Sequence, residues 1–206
     1  MIRKIFSELK HHAPFTILGA IIGIVSMVFL KNLSENIVHN TFYVLHPMHV
    51  LLSAFVTASM YSIYRHKNKE QKCNIFILLL IGYFGSVGIA TLSDSLIPYV
   101  GEALLNMPHR EAHIGFIEKW WLINPLAIIG IIAAHFRPFT KLPHAIHVFI
   151  STSASLFHII MAIGAGSTLG LMVYAGIFFF LFIAVWLPCC VSDIVFPLLF
   201  IKKDNA

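Results

Sequence analysis

Six apolar runs, each long enough to cross a lipid bilayer, follow one another along this sequence with only short polar segments between them. They cover residues 14–30, 41–64, 74–99, 120–136, 144–164 and 169–201. A helix needs roughly 17–25 residues to span the hydrocarbon core. Lipid offers the backbone no hydrogen-bond partners, so a run of this length must satisfy its own amides as a helix. The expected fold is all-α, a polytopic membrane protein of six transmembrane helices in a single membrane domain, 1–206. Only 11% of the 206 residues are charged, against 58% hydrophobic. A soluble domain carries about 25% charged residues, so this chain has too little polar surface to cover itself in water. The net charge of +5 is spread over short connections. The lipid bilayer is therefore the expected partner and nucleic acid is not. The three cysteines, Cys73, Cys189 and Cys190, form no disulfide framework. The basic N-terminus is read as the start of a retained first helix, with Pro14 in its first turn.

Lysine and arginine set the expected orientation. With the N-terminus in the cytoplasm, Arg3, Lys4, Lys10, Arg65, Lys67, Lys69, Lys72, Arg137, Lys141, Lys202 and Lys203 all fall inside. Lys31, Arg110 and Lys119 fall outside. The expectation is a bacterial-type inner membrane with both termini cytoplasmic. Trp120 and Trp121 suit an interfacial belt.

A motif occurs twice. His46-Pro-Met-His49-Val-Leu-Leu-Ser53 returns as His144-Ala-Ile-His147-Val-Phe-Ile-Ser151. A second signature follows each copy at nearly the same distance: Ser93-Asp94-Ser-Leu-Ile-Pro98, then Ser192-Asp193-Ile-Val-Phe-Pro197. Repeats of this kind fix the architecture before anything else does. Repeat 1 covers about 14–99 and repeat 2 about 120–201, with an outer loop at about 100–119 between them. Three spans per repeat start the second copy on the opposite side of the membrane. The plan is thus two inverted three-helix repeats, as in many secondary transporters.

The motif residues form a polar stripe. In the second span His46, His49, Ser53 and Thr57 recur at intervals of three and four, and in the fifth span His144, His147, Ser151, Ser155 and His158 do the same. Such positions share one helix face, which lipid would reject and the bundle interior would accept. A histidine pair at i, i+3 directs two imidazoles at one cation, and a carboxylate from another helix completes three ligands with a position open. The expected metal ligands are His46, His49 and Asp94 in one half and His144, His147 and Asp193 in the other. Ser53, Thr57, Ser93, Ser151, Ser155, His158 and Ser192 are expected to line a polar path. Antiparallel geometry puts the first cluster near the outer side and the second near the inner side. Displaced motif helices would merge them at the midplane, and both arrangements stay open. Glu102, His109, Glu111, His113 and Glu118 read as a solvated outer loop able to collect cations. Cys189 and Cys190 read as small buried groups with the capacity to bind a soft metal.

The duplicated Ser-Asp-x-x-x-Pro resembles the ten-span heavy-metal and manganese exporters over Ser93–Pro98 and Ser192–Pro197, though their Gly-Cys motif has no counterpart here. The His, Ser and Asp set is also similar to the seven-span ceramidase and adiponectin-receptor-like hydrolases, which hold zinc with three histidines. Their late His-x-x-x-His pair is absent. The first resemblance implies a transporter of a divalent metal ion (zinc, manganese or iron) and no catalytic residues. The second implies a membrane-embedded metal-dependent hydrolase acting on lipid. A metal-free proton or small-solute carrier is the third reading, with the histidine ladder as relay. Symmetric halves serve alternating access better than they serve one catalytic centre, so transport is the expectation.

Overall fold

A computed structural model describes residues 2–67, 74–164, 169–191 and 195–200. The described residues are helical, without strands: α1 (Ile2–Leu30), α2 (Glu35–Lys67), α3 (Ile75–Leu104), α4 (Gly115–Glu118), α5 (Trp120–Phe136), α6 (Lys141–Ile163), α7 (Leu171–Cys190) and α8 (Phe196–Leu199). Five segments are long and apolar enough to cross a membrane: Ala13–Leu30, Glu35–Arg65, Ile75–Leu104, Ala145–Ile163 and Leu171–Cys189. The apolar α5 has 17 residues.

Several helices run further than their apolar runs do. The helix of α1 starts at Ile2, which puts Pro14 in its interior and not in a first turn. The polar connection expected over 31–40 ends early, because α2 already begins at Glu35. The third helix continues past Tyr99 to Leu104 and takes Glu102 out of the loop. Pro188 lies inside α7 without ending it.

The polar stripes decide how these helices turn. His46, His49, Ser53 and Thr57 of α2 are fully buried, and so are His147, Ser151 and Ser155 of α6. On the other sides of the same helices Val44 and Phe149 are 58% and 61% exposed. An apolar exterior around a polar seam is the inverse of a soluble bundle and matches lipid as solvent.

Two apolar cores flank the seam. One joins Val50, Ala54 and Ala58 of α2 to Leu78 and Ile81 of α3 and to Ile123, Ala127 and Ile131 of α5. The other joins Leu156, Ile159 and Ile163 of α6 to Ile177 and Leu181 of α7 and to Ala20 and Met27 of α1. The long helices α2 and α6 pack against each other between the cores. Gly130 permits the close approach of α5 to α2: a Cβ there would stand 2.4 Å from the Leu51 carbonyl oxygen.

Candidate functional site

The α3 helix is interrupted by two π-helical turns, Phe84–Gly88 and Leu92–Leu96. Turns of this kind are rare and concentrate at functional positions. The second turn holds Ser93, Asp94 and Ser95, three consecutive polar residues that are all fully buried. Each is bonded to a different partner: Ser93 shares a hydrogen bond with Ser151 of α6 at 2.7 Å, Asp94 bonds to α2, and Ser95 donates to the carbonyl of His113 at 2.6 Å.

Asp94 is the hub. His46 Nδ1 donates to its Oδ2 at 2.9 Å, and His49 Nδ1 donates to the same oxygen at 2.6 Å. Ser151 Oγ donates to Oδ1 at 3.3 Å. Ser155 donates to the Ser93 carbonyl, which ties α6 to the π turn a second time. With both Nδ1 protons turned towards the carboxylate, each imidazole presents Nε2 as a lone pair on its far side. The Nε2 of His46 is buried with no partner among the described residues. His49 Nε2 faces His147 Nε2 at 2.6 Å, so the bridging proton of the neutral pair sits on His147. Cys189 Sγ stands 3.9 Å from that same His147 nitrogen and 3.8 Å from Ser151 Oγ.

His49, His147 and Cys189 are all buried, and their donor atoms lie within 4.8 Å of one another. Two imidazole nitrogens and a thiolate suit zinc and other borderline or soft metal ions, and three protein donors leave a fourth position open. The carboxylate behind His49 is the usual outer-shell partner that fixes a metal-binding imidazole in its tautomer and raises its basicity.

No family model, curated protein or solved structure matches the chain. The site's own chemistry therefore carries the functional reading.

Residues of both halves meet among the described residues. His46, His49 and Asp94 of the first half meet His147 and Ser151 of the second in one cluster. Ser53 and Thr57 are buried along the α2 stripe, and Ser155 along that of α6. Asp193 and Ser192 lie outside the described residues, as does the side chain of His144.

Two residues stand closer to the site than the sequence reading placed them. Cys189, read as a small buried group with the capacity to bind a soft metal, lies beside His147 in the cluster, and in sequence it stands four residues before Asp193, the spacing of one helix face. Glu102 was assigned to a solvated loop and is fully buried, with Oε1 accepting from His158 Nδ1 at 2.6 Å. The outer loop expected at about 100–119 contained it, and the helix instead runs on to Leu104.

Outward from the cluster, His46 stacks on Phe42 at 5.5 Å between ring centroids, and Phe42 meets His158 edge-on at 5.3 Å. His158 in turn meets His113 at 5.5 Å. His113 lines a cavity of about 380 Å³ together with Glu35, His39, His109 and Glu111. Burial pushes the His113 pKa below its ordinary value. His158 and His39 add to that, and Glu111 opposes it. The ring is thus held neutral at pH 7, with a lone pair able to meet a cation. The cavity opens at the end of the bundle where α2 begins and α3 and α6 end.

The helix α4 closes the cluster on this side. Tyr43 hydrogen-bonds to the Glu118 carboxylate, and Glu118 Oε1 accepts from the Ile114 amide at 3.0 Å. Gly115 lies directly over His46. A Cβ built there would stand 2.3 Å from His46 Cδ2 and 2.6 Å from Nε2. Gly115→Ala should therefore cost about 1–3 kcal/mol through overpacking and push either α4 or the His46 ring aside. A lowered melting temperature in detergent checks this; an unchanged one would mean that α4 does not seat on His46.

Proposed function

We propose that this chain is an integral membrane transporter of a divalent transition-metal ion, zinc being the best fit to the donors. The carrying observation is the buried convergence of His49 Nε2, His147 Nε2 and Cys189 Sγ with the Asp94 carboxylate on His49 Nδ1. Intramembrane ionisable groups are rare and expensive, at roughly 2.5–3.5 kcal/mol for an Asp at a helix centre on insertion scales. A cluster of them on three spans calls for a permeating or bound ion.

The transporter plan adds six spans in two inverted halves. Its support is the packing. Exchange α1 with α5, α2 with α6 and α3 with α7, and the first apolar core becomes the second. The contact of Ile97–Leu104 with α6 likewise exchanges with that of Phe196–Leu199 with α2. His49 and His147 are equivalent positions in the two motifs, and they touch each other. Equivalent residues meet in that way where a two-fold axis passes between them, and inverted-repeat carriers bind substrate at such an interface.

His144 and Asp193 hold the second motif's places corresponding to His46 and Asp94, and Asp193→Asn should impair transport as Asp94→Asn does. In the orientation set by Lys and Arg, the His113 cavity faces outward.

The test is flux. Purified protein in liposomes enclosing a zinc-sensitive dye should move Zn²⁺ at a rate that falls at least tenfold in His147→Ala. The hydrolase reading draws on the same three donors, because an open fourth position also holds water. No flux combined with cleavage of bilayer lipid would put that reading in place of transport.

A further inference from the structure

We infer that Glu102 and His158 form a second, outer cation site, a loading station between the cavity and the central cluster. This rests on the transporter reading and deepens it. Both side chains are fully buried, and they come from different spans, the end of α3 and the end of α6. Among the described residues one side-chain contact satisfies them: His158 Nδ1 donates to Glu102 Oε1 at 2.6 Å. His158 Nε2 and Glu102 Oε2 are buried with no partner among the described residues. An unmet buried polar atom costs about 1–3 kcal/mol, and more when it belongs to a charged group. A pair that only held two helices together would gain nothing from two orphaned atoms. A cation that takes the place of the Nδ1 proton is held by that nitrogen and by both carboxylate oxygens, and the imidazole proton shifts to Nε2.

The position fits a loading role. On one side His158 meets His113 at 5.5 Å, and His113 lines the cavity with Glu35, Glu111 and His39. On the other side the fully buried Phe42 separates His158 from His46, with its ring 5.3 Å from one and 5.5 Å from the other. An ion passing inward goes from carboxylates and imidazoles at the mouth to one carboxylate and one imidazole, then past Phe42 to imidazoles and a thiol. The donors thus soften with depth. The outer pair, with a carboxylate oxygen and an imidazole, discriminates less against Mn²⁺ than the thiolate cluster does. The outer site selects for divalent charge, and the inner one selects among metals.

The experiment is Zn²⁺ titration by calorimetry of the purified full chain, with stopped-flow filling of the central site as a second readout. The parent protein should bind two ions, one tightly and one more weakly. Glu102→Gln should lose the weaker ion, keep the affinity of the tighter one, and slow its filling at least tenfold. His158→Gln should reproduce this from the other partner, which guards against a folding defect peculiar to Glu102→Gln. Cys189→Ser should do the reverse, losing the tighter ion and keeping the weaker. One ion in the parent, bound with unchanged affinity and rate in Glu102→Gln and His158→Gln, would overturn the outer site and leave the central one standing. No Zn²⁺ bound by the parent would overturn both.

Discussion

Asp94→Asn is expected to weaken Zn²⁺ binding by about 10–100-fold, the usual effect of removing an outer-shell partner, while the protein stays folded. The reason lies in protons more than in charge alone. Asp94 Oδ2 accepts from both His46 and His49, and a carboxylate can only accept. An asparagine offers an N–H₂ of the same shape. Turned towards His49, it donates to Nδ1 and drives the imidazole proton to Nε2, the atom that must bind the ion. Turned away, it keeps an oxygen that accepts from both imidazoles but makes Ser151 Oγ the acceptor of its N–H₂ and lacks the carboxylate charge that raises imidazole basicity. Competition with a chelator of known affinity measures the loss. A role limited to helix packing predicts a lowered melting temperature with unchanged affinity, and that result would remove Asp94 from the binding account.

Cys189→Ser should have a still larger effect, and it should depend on the metal. Among the described residues, the Cys189 sulfur is the soft donor beside His147. A serine hydroxyl is harder and stays protonated at neutral pH. Zinc affinity should fall by more than about 100-fold, since a direct ligand matters at least as much as its outer shell. Manganese, which prefers oxygen donors, should lose little. The preference for zinc over manganese would then collapse in this variant, as parallel titrations with the two ions would show. Equal losses for both metals would mean that Cys189 packs against the site without binding the ion.

The duplicated motif made much of this site legible. The i, i+3, i+4 spacing of His46, His49 and Ser53 and of His147, Ser151 and Ser155 put each set on one face, and the structure turns both faces inward. The depth of the motifs was harder to read, because hydropathy marks where a run becomes apolar and not where its helix begins. His49 stands 14 residues into α2 from Glu35, about 21 Å of helical rise. His147 stands six residues into α6 from Lys141, about 9 Å from the opposite end. The two histidines nonetheless arrive at one level, with their Nε2 atoms 2.6 Å apart.

Glu102 and Cys189 were less legible for different reasons. Gly101, three residues after Pro98, is a helix-ending signal, but here Pro98 stands in the first turn after the π turn Leu92–Leu96, and the helix runs on to Leu104. Cys189 has no counterpart in the first half, where the corresponding position is Ala90, so the repeat could not draw attention to it. The π turns themselves left no trace in the hydropathy, since they are defined by which carbonyl each amide meets.

X-ray absorption at the zinc edge of the purified, Zn²⁺-loaded protein tests the central claim most directly. The account predicts one sulfur at about 2.3 Å and two or more nitrogen or oxygen neighbours at about 2.0–2.1 Å. The sulfur should vanish in Cys189→Ser, and an imidazole signal should diminish in His147→Ala. A zinc shell of oxygen and nitrogen alone, unchanged in both variants, would contradict a buried His49–His147–Cys189 site.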